Sequence, residues 1–359
     1  MPVWQVYFGL VIILTALFSL NRPKRVSAAG RKAPEVDPAL RAAVILLIIV
    51  AGFRLIDAEY SDEWNYRRGY EAVLFSSFDP LSSDFFFGLL TYILTRISTN
   101  PQLLIFACAA ITNALIGYAI YRNSRFWKLA ILLHLLMGSY FASWNIIRQY
   151  LAVGILAAAL SHLFSRDWKK YFLYVAVASG FHSSALVMIP AYFILTRKAW
   201  SRLQVLCTIA ALLVLIYASS YLPAIFESSG YAQYAELMLS DESYGVRGLR
   251  VIAWSLPAAV AFFFQKSIRK LDPKRADVLM NAALISALIM ISSLQFVYIS
   301  RLDPYFSIIT LLLISLFPHL FRGIERKVVT VVIFACYSAF SWFLLAGFAV
   351  PFQWRIALF

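Results

Sequence analysis

Long apolar runs recur down this chain, and each is closed off by a short charged patch. Val3–Leu20 is followed by Arg22, Lys24 and Arg25, and Leu203–Leu222 follows the basic stretch Arg197–Arg202. Runs of this length match the hydrocarbon thickness of a bilayer. Of the 359 residues 62% are hydrophobic and 14% charged, so a water-soluble fold would have to display apolar surface. The pattern specifies an all-α polytopic integral membrane protein, a single transmembrane domain over residues 1–359 with no repeat of fixed period.

The net charge of +14 would suggest nucleic acid in a soluble protein. Here the excess cations lie in short loops between apolar runs, which is the positive-inside pattern of membrane topology, and nucleic-acid binding is excluded as a function. Cys108, Cys207 and Cys336 fall within apolar segments without paired spacing, and are expected to be buried free thiols. No His, Asp or Glu spacing reads as a metal site, and no cofactor is called for.

Charge also sets the expected topology. Val3–Leu20 lacks the basic start of a cleaved signal and reads as a retained span with its N-terminus outside. The cation-rich stretch 21–41 is expected in the cytoplasm, and 42–56 returns outward. Residues 57–84 then invert the character, with seven acidic residues against Arg67 and Arg68. A long acidic, aromatic loop is seldom a mere connector. A second outer loop is expected over 223–249, carrying Glu227, Glu236, Asp241 and Glu242. Following the basic loops to the end gives about twelve crossings with both termini outside.

One stretch breaks this count. Four apolar segments (85–97, 101–121, 129–144 and 150–164) separate an outer loop from the basic patch Arg166–Lys170, where an odd number is needed. One segment is therefore expected to be re-entrant or half-length, which is tolerated where protein or a wet cavity receives its polar groups. The apolar stretch 171–196 lies between two basic loops, so it must turn near Gly180–Ser184, which puts His182 towards the outer face.

Two polar clusters interrupt this background. Asn145-Ile146-Ile147-Arg148-Gln149-Tyr150 places a cation in membrane-hydrophobic sequence, where it costs roughly 2.5–3.5 kcal/mol at a helix centre. Gly180-Phe181-His182-Ser183-Ser184-Ala185 is the second. With Asp62/Glu63/Tyr66 and Arg301/Tyr305 they form four clusters expected at the outer leaflet. Arg148 and Arg301 are cations on a face that should have few, and guanidinium forks match phosphate oxygens bidentately. The plainer readings are a snorkelling Arg148, an Arg301 paired with Asp303, a core His182 and a solvated acidic loop. His134, His162 and His319 have no such company and read as structural.

These clusters, in this order, resemble the EpsG family of Wzy-like polysaccharide polymerases. The resemblance rests on Tyr60-Ser61-Asp62-Glu63-Trp64-Asn65-Tyr66, the Asn-x-x-Arg-Gln-x-x-Ala element from Asn145 to Ala152, His182 to Ala185, Arg301 with Tyr305, and Val350-Pro351-Phe352. Ser61-Asp62 departs from the commoner Gly/Thr-Asp, and Phe352 replaces a Tyr.

The resemblance implies a GT-C-like architecture and polymerisation of polyprenyl-diphosphate-linked repeat units at the outer face of the bacterial inner membrane, building an exopolysaccharide or O-antigen-type chain. Arg148 and Arg301 would hold the leaving diphosphate in an inverting transfer, with Asp62, or else His182, as base. Glu63, Trp64, Tyr66, Asn145, Gln149, Ser183 and Tyr305 would bind substrate. The implied partners are the lipid-linked oligosaccharide, membrane lipid, and a chain-length regulator or export complex. A lipid-linked oligosaccharide flippase, an O-antigen-type ligase and an O-acyltransferase stay open. The gathering of polar clusters on one face speaks against a flippase, which should carry polar residues through both leaflets.

Overall fold

The computed structural model describes residues 2–21, 36–56, 62–76, 84–206, 209–210, 213, 246, 248–294, 297–345 and 351–358. The expected second outer loop therefore falls almost wholly outside the described residues, as do Cys207 and the ends of the first loop, 57–61 and 77–83. The described chain is helical nearly throughout. Four helices are long and apolar enough to cross a bilayer: α1 (Val3–Leu20), α5 (Gln102–Asn123), α12 (Gly248–Leu271) and α15 (Gly323–Leu345). Contacts divide the chain into two compact units, one of residues 1–160, 170–186 and 337–359, the other of residues 161–169 and 187–336. The sequence marks no boundary between them.

In the first unit, local chemistry sets each helix start. Asp37 precedes α2 (Pro38–Gly52) and its carboxylate accepts from the Ala39 N–H at 2.9 Å, with Pro38 at the first helical position. That pairing satisfies a donor left open by the helix, and proline loses nothing there. Asn100 does the same for α5, its Oδ1 accepting from the Gln102 N–H at 3.0 Å. The next run is broken by Gly138, whose φ of 82° separates α6 (Trp127–Leu136) from α7 (Ser139–Asn145). A left-handed residue here favours glycine. A second break at Ile146 starts α8 (Ile147–Ala158), which α9 (Leu160–Phe164) continues.

Both sequence ends of this unit meet at one place. Strand β1 (Arg54–Ile56) pairs antiparallel with β2 (Phe352–Trp354), Leu55 opposite Gln353, and Pro2 bridges Pro351. The Arg355 N–H donates to Phe53 O at 2.7 Å, and Ser98 Oγ and Asn100 Nδ2 reach the carbonyls of Leu358 and Ala357. We call this the strapped end. At the opposite end, Asn21 bonds Asp37 at 2.7 Å, and Lys128 Nζ donates to the Phe18 and Asn21 carbonyls, tying the end of α1 to the start of α6.

These ties set the end at which the helices of the first unit begin and finish. Gly52, the last residue of α2, accepts at 2.7 Å from Gln102, the first residue of α5, so α2 ends and α5 begins at the strapped end. The intervening α3 (Glu63–Leu74) and α4 (Phe85–Thr95) start and finish there too. Asp62 just before α3 bonds Asn145, Asp84 just before α4 bonds Arg148, and Ser98 beyond α4 bonds Tyr70 and Leu358. α4 therefore begins and ends at the same end of the first unit.

α10 (Trp168–Ser179) ends where the sequence places a turn, and Gly180 O accepts from the Phe86 N–H at 2.7 Å. The turn therefore docks on the start of α4. Of the cysteines, Cys108 is buried as expected, whereas Cys336 is exposed on α15.

The second unit is held by its own polar ties. Asn281 Nδ2 on α13 (Ala276–Ser292) donates to the carbonyls of Ile194, Leu195 and Arg197, satisfying the end of α11 (Met188–Leu195). Arg269 near the end of α12 pairs with Asp277 in the first turn of α13 at 2.9 Å. α14 (Pro304–Leu316) is buried along its whole length.

Candidate active site

The strapped end of the first unit gathers three of the four clusters. Arg148 stands in the first turn of α8, where the helix dipole is positive and a cation needs a counter-charge. Asp84 supplies it. Arg148 Nη1 donates to Asp84 Oδ2 at 2.7 Å, and the guanidinium also lies over the rings of Tyr66 and Phe87 at 5.8 and 5.7 Å. The Arg148 side chain keeps 42% of its surface exposed. A guanidinium held by one carboxylate and still partly exposed can take an anionic oxygen.

His182 shares the same carboxylate. Its Nδ1 lies 3.9 Å from Asp84 Oδ2, an ion-pair distance rather than a hydrogen bond. Burial alone would raise the Asp84 carboxyl, but His182, Arg148 and the Ser183 backbone outweigh it and hold the group below its ordinary value. The ring stack of Tyr66 on Phe87 and of Phe86 on Phe181 walls this cluster on the apolar side. Burial holds the Tyr66 phenol above its usual range, although Arg148 opposes this.

Sequence reasoning did not single out Asp84. It was counted as one of seven acids in a loop, yet it is the one set flush against an apolar run, Phe85-Phe86-Phe87, with its partners 64 and 98 positions away. That adjacency was the available signal.

The other expected residues separate by position. Asp62 precedes α3, and its N–H donates to Asn145 Oδ1 at 2.6 Å, so the first and second motifs touch through the backbone. Ser183 is exposed beside His182. Gln149 is buried on α8, and its side chain is engaged within the fold. Glu63 is fully buried, 3.2 Å from Arg54 Nε and 2.6 Å from Arg67 Nη2, while Arg67 also donates to Gln102 Oε1. This carboxylate holds two cations and has no exposed surface. Trp64 faces away from Arg148, into a separate cleft.

Arg301 and Tyr305 belong to the second unit. Arg301 is exposed, with its guanidinium 5.2 Å from the Tyr298 ring, and Tyr305 is buried. The plainer reading of Arg301, an ion pair with Asp303, does not hold. Asp303 instead accepts from Trp254 Nε1 at 2.7 Å and from Ser286 Oγ.

Bilayer-length helices and a partly open arginine–carboxylate–histidine cluster at one end define a polytopic membrane protein with a polar site at a helix break. The chain belongs to the EpsG family, whose profile matches residues 39–354, and this associates it with polysaccharide biosynthesis. No curated protein and no solved structure matches it.

Proposed function

We propose that this protein is a polysaccharide polymerase that extends a polyprenyl-diphosphate-linked oligosaccharide at the outer face of the bacterial inner membrane. The acceptor hydroxyl oxygen bonds to the anomeric carbon as the bond from that carbon to the diphosphate breaks. The hydroxyl proton passes to a base, and the lipid diphosphate leaves with its charge met by guanidinium. Attack opposite the leaving group inverts the anomeric centre.

The observation that carries this reading is the Arg148–Asp84–His182 cluster. It pairs a cation still open to an anion with an imidazole whose Nδ1 faces a carboxylate, leaving Nε2 for a hydroxyl proton. That arrangement favours His182 as base over Asp62, whose place beside Asn145 suits shaping the pocket. Arg301 is the second cation of the family pattern and lies in the second unit. Tyr66 and Ser183 would contact sugar.

The test is purified protein with a synthetic lipid-diphosphate repeat unit, its products resolved by mass. A ladder in repeat-unit steps supports the polymerase. One transfer to a different acceptor means a ligase, a fixed acyl increment an acyltransferase, and movement across a bilayer without lengthening a flippase.

A further inference from the structure

A second concave site lies on the far side of α3 from the arginine–carboxylate–histidine cluster. It is a cleft of about 460 Å³ lined by Leu55, Ile56, Trp64, Arg67, Arg68, Glu71, Pro101, Gln353 and Arg355. That volume falls within the roughly 300–1,000 Å³ usual for small-molecule sites. Trp64, Arg68 and Glu71 stand at helical spacings of four and three, so they share one face of α3. Tyr66, two residues beyond Trp64, is turned about 200° from it, towards Arg148.

The opposite wall is fixed. Gln353 on β2 and Arg355 just beyond it both line the cleft, and the Arg355 backbone is pinned to Phe53. Four stretches remote in sequence thus build one pocket.

Its chemistry is specific. The Trp64 indole is 51% exposed and offers a flat apolar face to sugar C–H groups. Gln353 offers an amide donor and acceptor suited to hydroxyls. Among the described residues, the guanidiniums of Arg67, Arg68 and Arg355 line the cleft beside the carboxylate of Glu71. Arg67 is more than nine-tenths buried, and its Nη1 has no partner among the described residues. Leu55, Ile56 and Pro101 join the Trp64 indole in the apolar part of the lining.

We infer that this cleft binds an acidic oligosaccharide, a stretch of glycan carrying carboxylates. The glycan would be the growing chain of the proposed polymerase, and to that extent the inference rests on that reading. It places an anchoring subsite one helix diameter from the reaction, so that a chain is held while the next unit is added.

Titration calorimetry on the full chain in nanodiscs tests this, with hexagalacturonate and neutral cellohexaose as probes. The acidic probe should bind, and tenfold or more weakly in Trp64→Ala and in Arg355→Gln, while Arg122→Gln, in the last turn of α5, binds it like the parent. Arg68→Gln serves in place of Trp64→Ala if that variant does not fold. Affinity unchanged in the cleft variants, tighter binding of the neutral probe, or binding of neither overturns the inference. Because the readout is binding, a cleft that binds in a protein that fails to lengthen its substrate refutes the polymerase alone.

Discussion

Arg148 and Asp84, 64 positions apart, form a 2.7 Å ion pair that ties the broken start of α8 to the start of α4. The pair anchors the start of one helix to the start of another, and the Arg148 side chain stays 42% exposed.

Substituting Arg148 should therefore remove function without removing the fold. Arg148→Ala is expected to insert and purify normally and to abolish chain growth. Arg148→Lys should also lose most activity, because a lysine cannot hold Asp84 and a phosphate with one fork. Product ladders read by mass check both. Normal ladders in Arg148→Ala would refute the assignment.

Asp84→Asn should weaken the hold on Arg148 and leave His182 facing an amide. Asp84 sits below its ordinary value in the fold, so its contribution to stability is complete above the unfolded value near 3.9 and fades as pH falls through the lower folded value. The gap in melting temperature between the parent and Asp84→Asn should thus be flat above about pH 5 and shrink below about pH 4. A gap that instead closed between neutral pH and pH 5 would contradict the assigned direction.

Glu63 predicts the opposite division between fold and function. Its carboxylate lies buried between Arg54 and Arg67, and Glu63→Gln would leave two buried cations without a full counter-charge. Breaking a buried pair in this way costs roughly 3–5 kcal/mol. Low yield and a lowered melting temperature are expected. A well-folded but inactive Glu63→Gln would instead place this carboxylate in the chemistry.

Gly180 touches the cluster through packing. A Cβ there would run into the Phe86 ring, beside the bond from Phe86 N–H to Gly180 O. Gly180→Ala should push the start of α4 and shift Asp84, at a cost of about 1–3 kcal/mol. Activity should fall more than melting temperature does, and comparing the two measurements tests it.

The path of α4 can be checked by labelling. Trp64 and Ile97 are both exposed and flank the helix in sequence. Single cysteines at these positions, in a background without native thiols, should react with a membrane-impermeant reagent from the same side. Labelling from opposite sides would make α4 a crossing.

Sequence alone made the membrane class legible, because apolar length and cation placement are written locally. It also placed the turn at Gly180–Ser184 and both Arg148 and His182, since polar groups in apolar runs stand out. It registered an even count of segments where an odd one is needed but gave no sign that α4 begins and ends at one end of its unit, because α4 is as apolar as its neighbours. The partner of Arg148 was illegible for another reason. Asp84 looks like its six acidic companions until the α4 start is brought against α8, a non-local contact with no periodic trace. Glu63 next to Asp62 misled in the same way, since adjacent residues on α3 turn towards different surroundings.

The strap between β1 and β2 has a consequence for biogenesis. Residues 351–358 are translated only after all of the second unit, yet they wall the cleft and hold the loop at Ser98–Asn100. Until they are made, β1 has no strand to pair with and Ser98 and Asn100 lack these acceptors, so the seam over Arg54 closes only after the second unit has been synthesised.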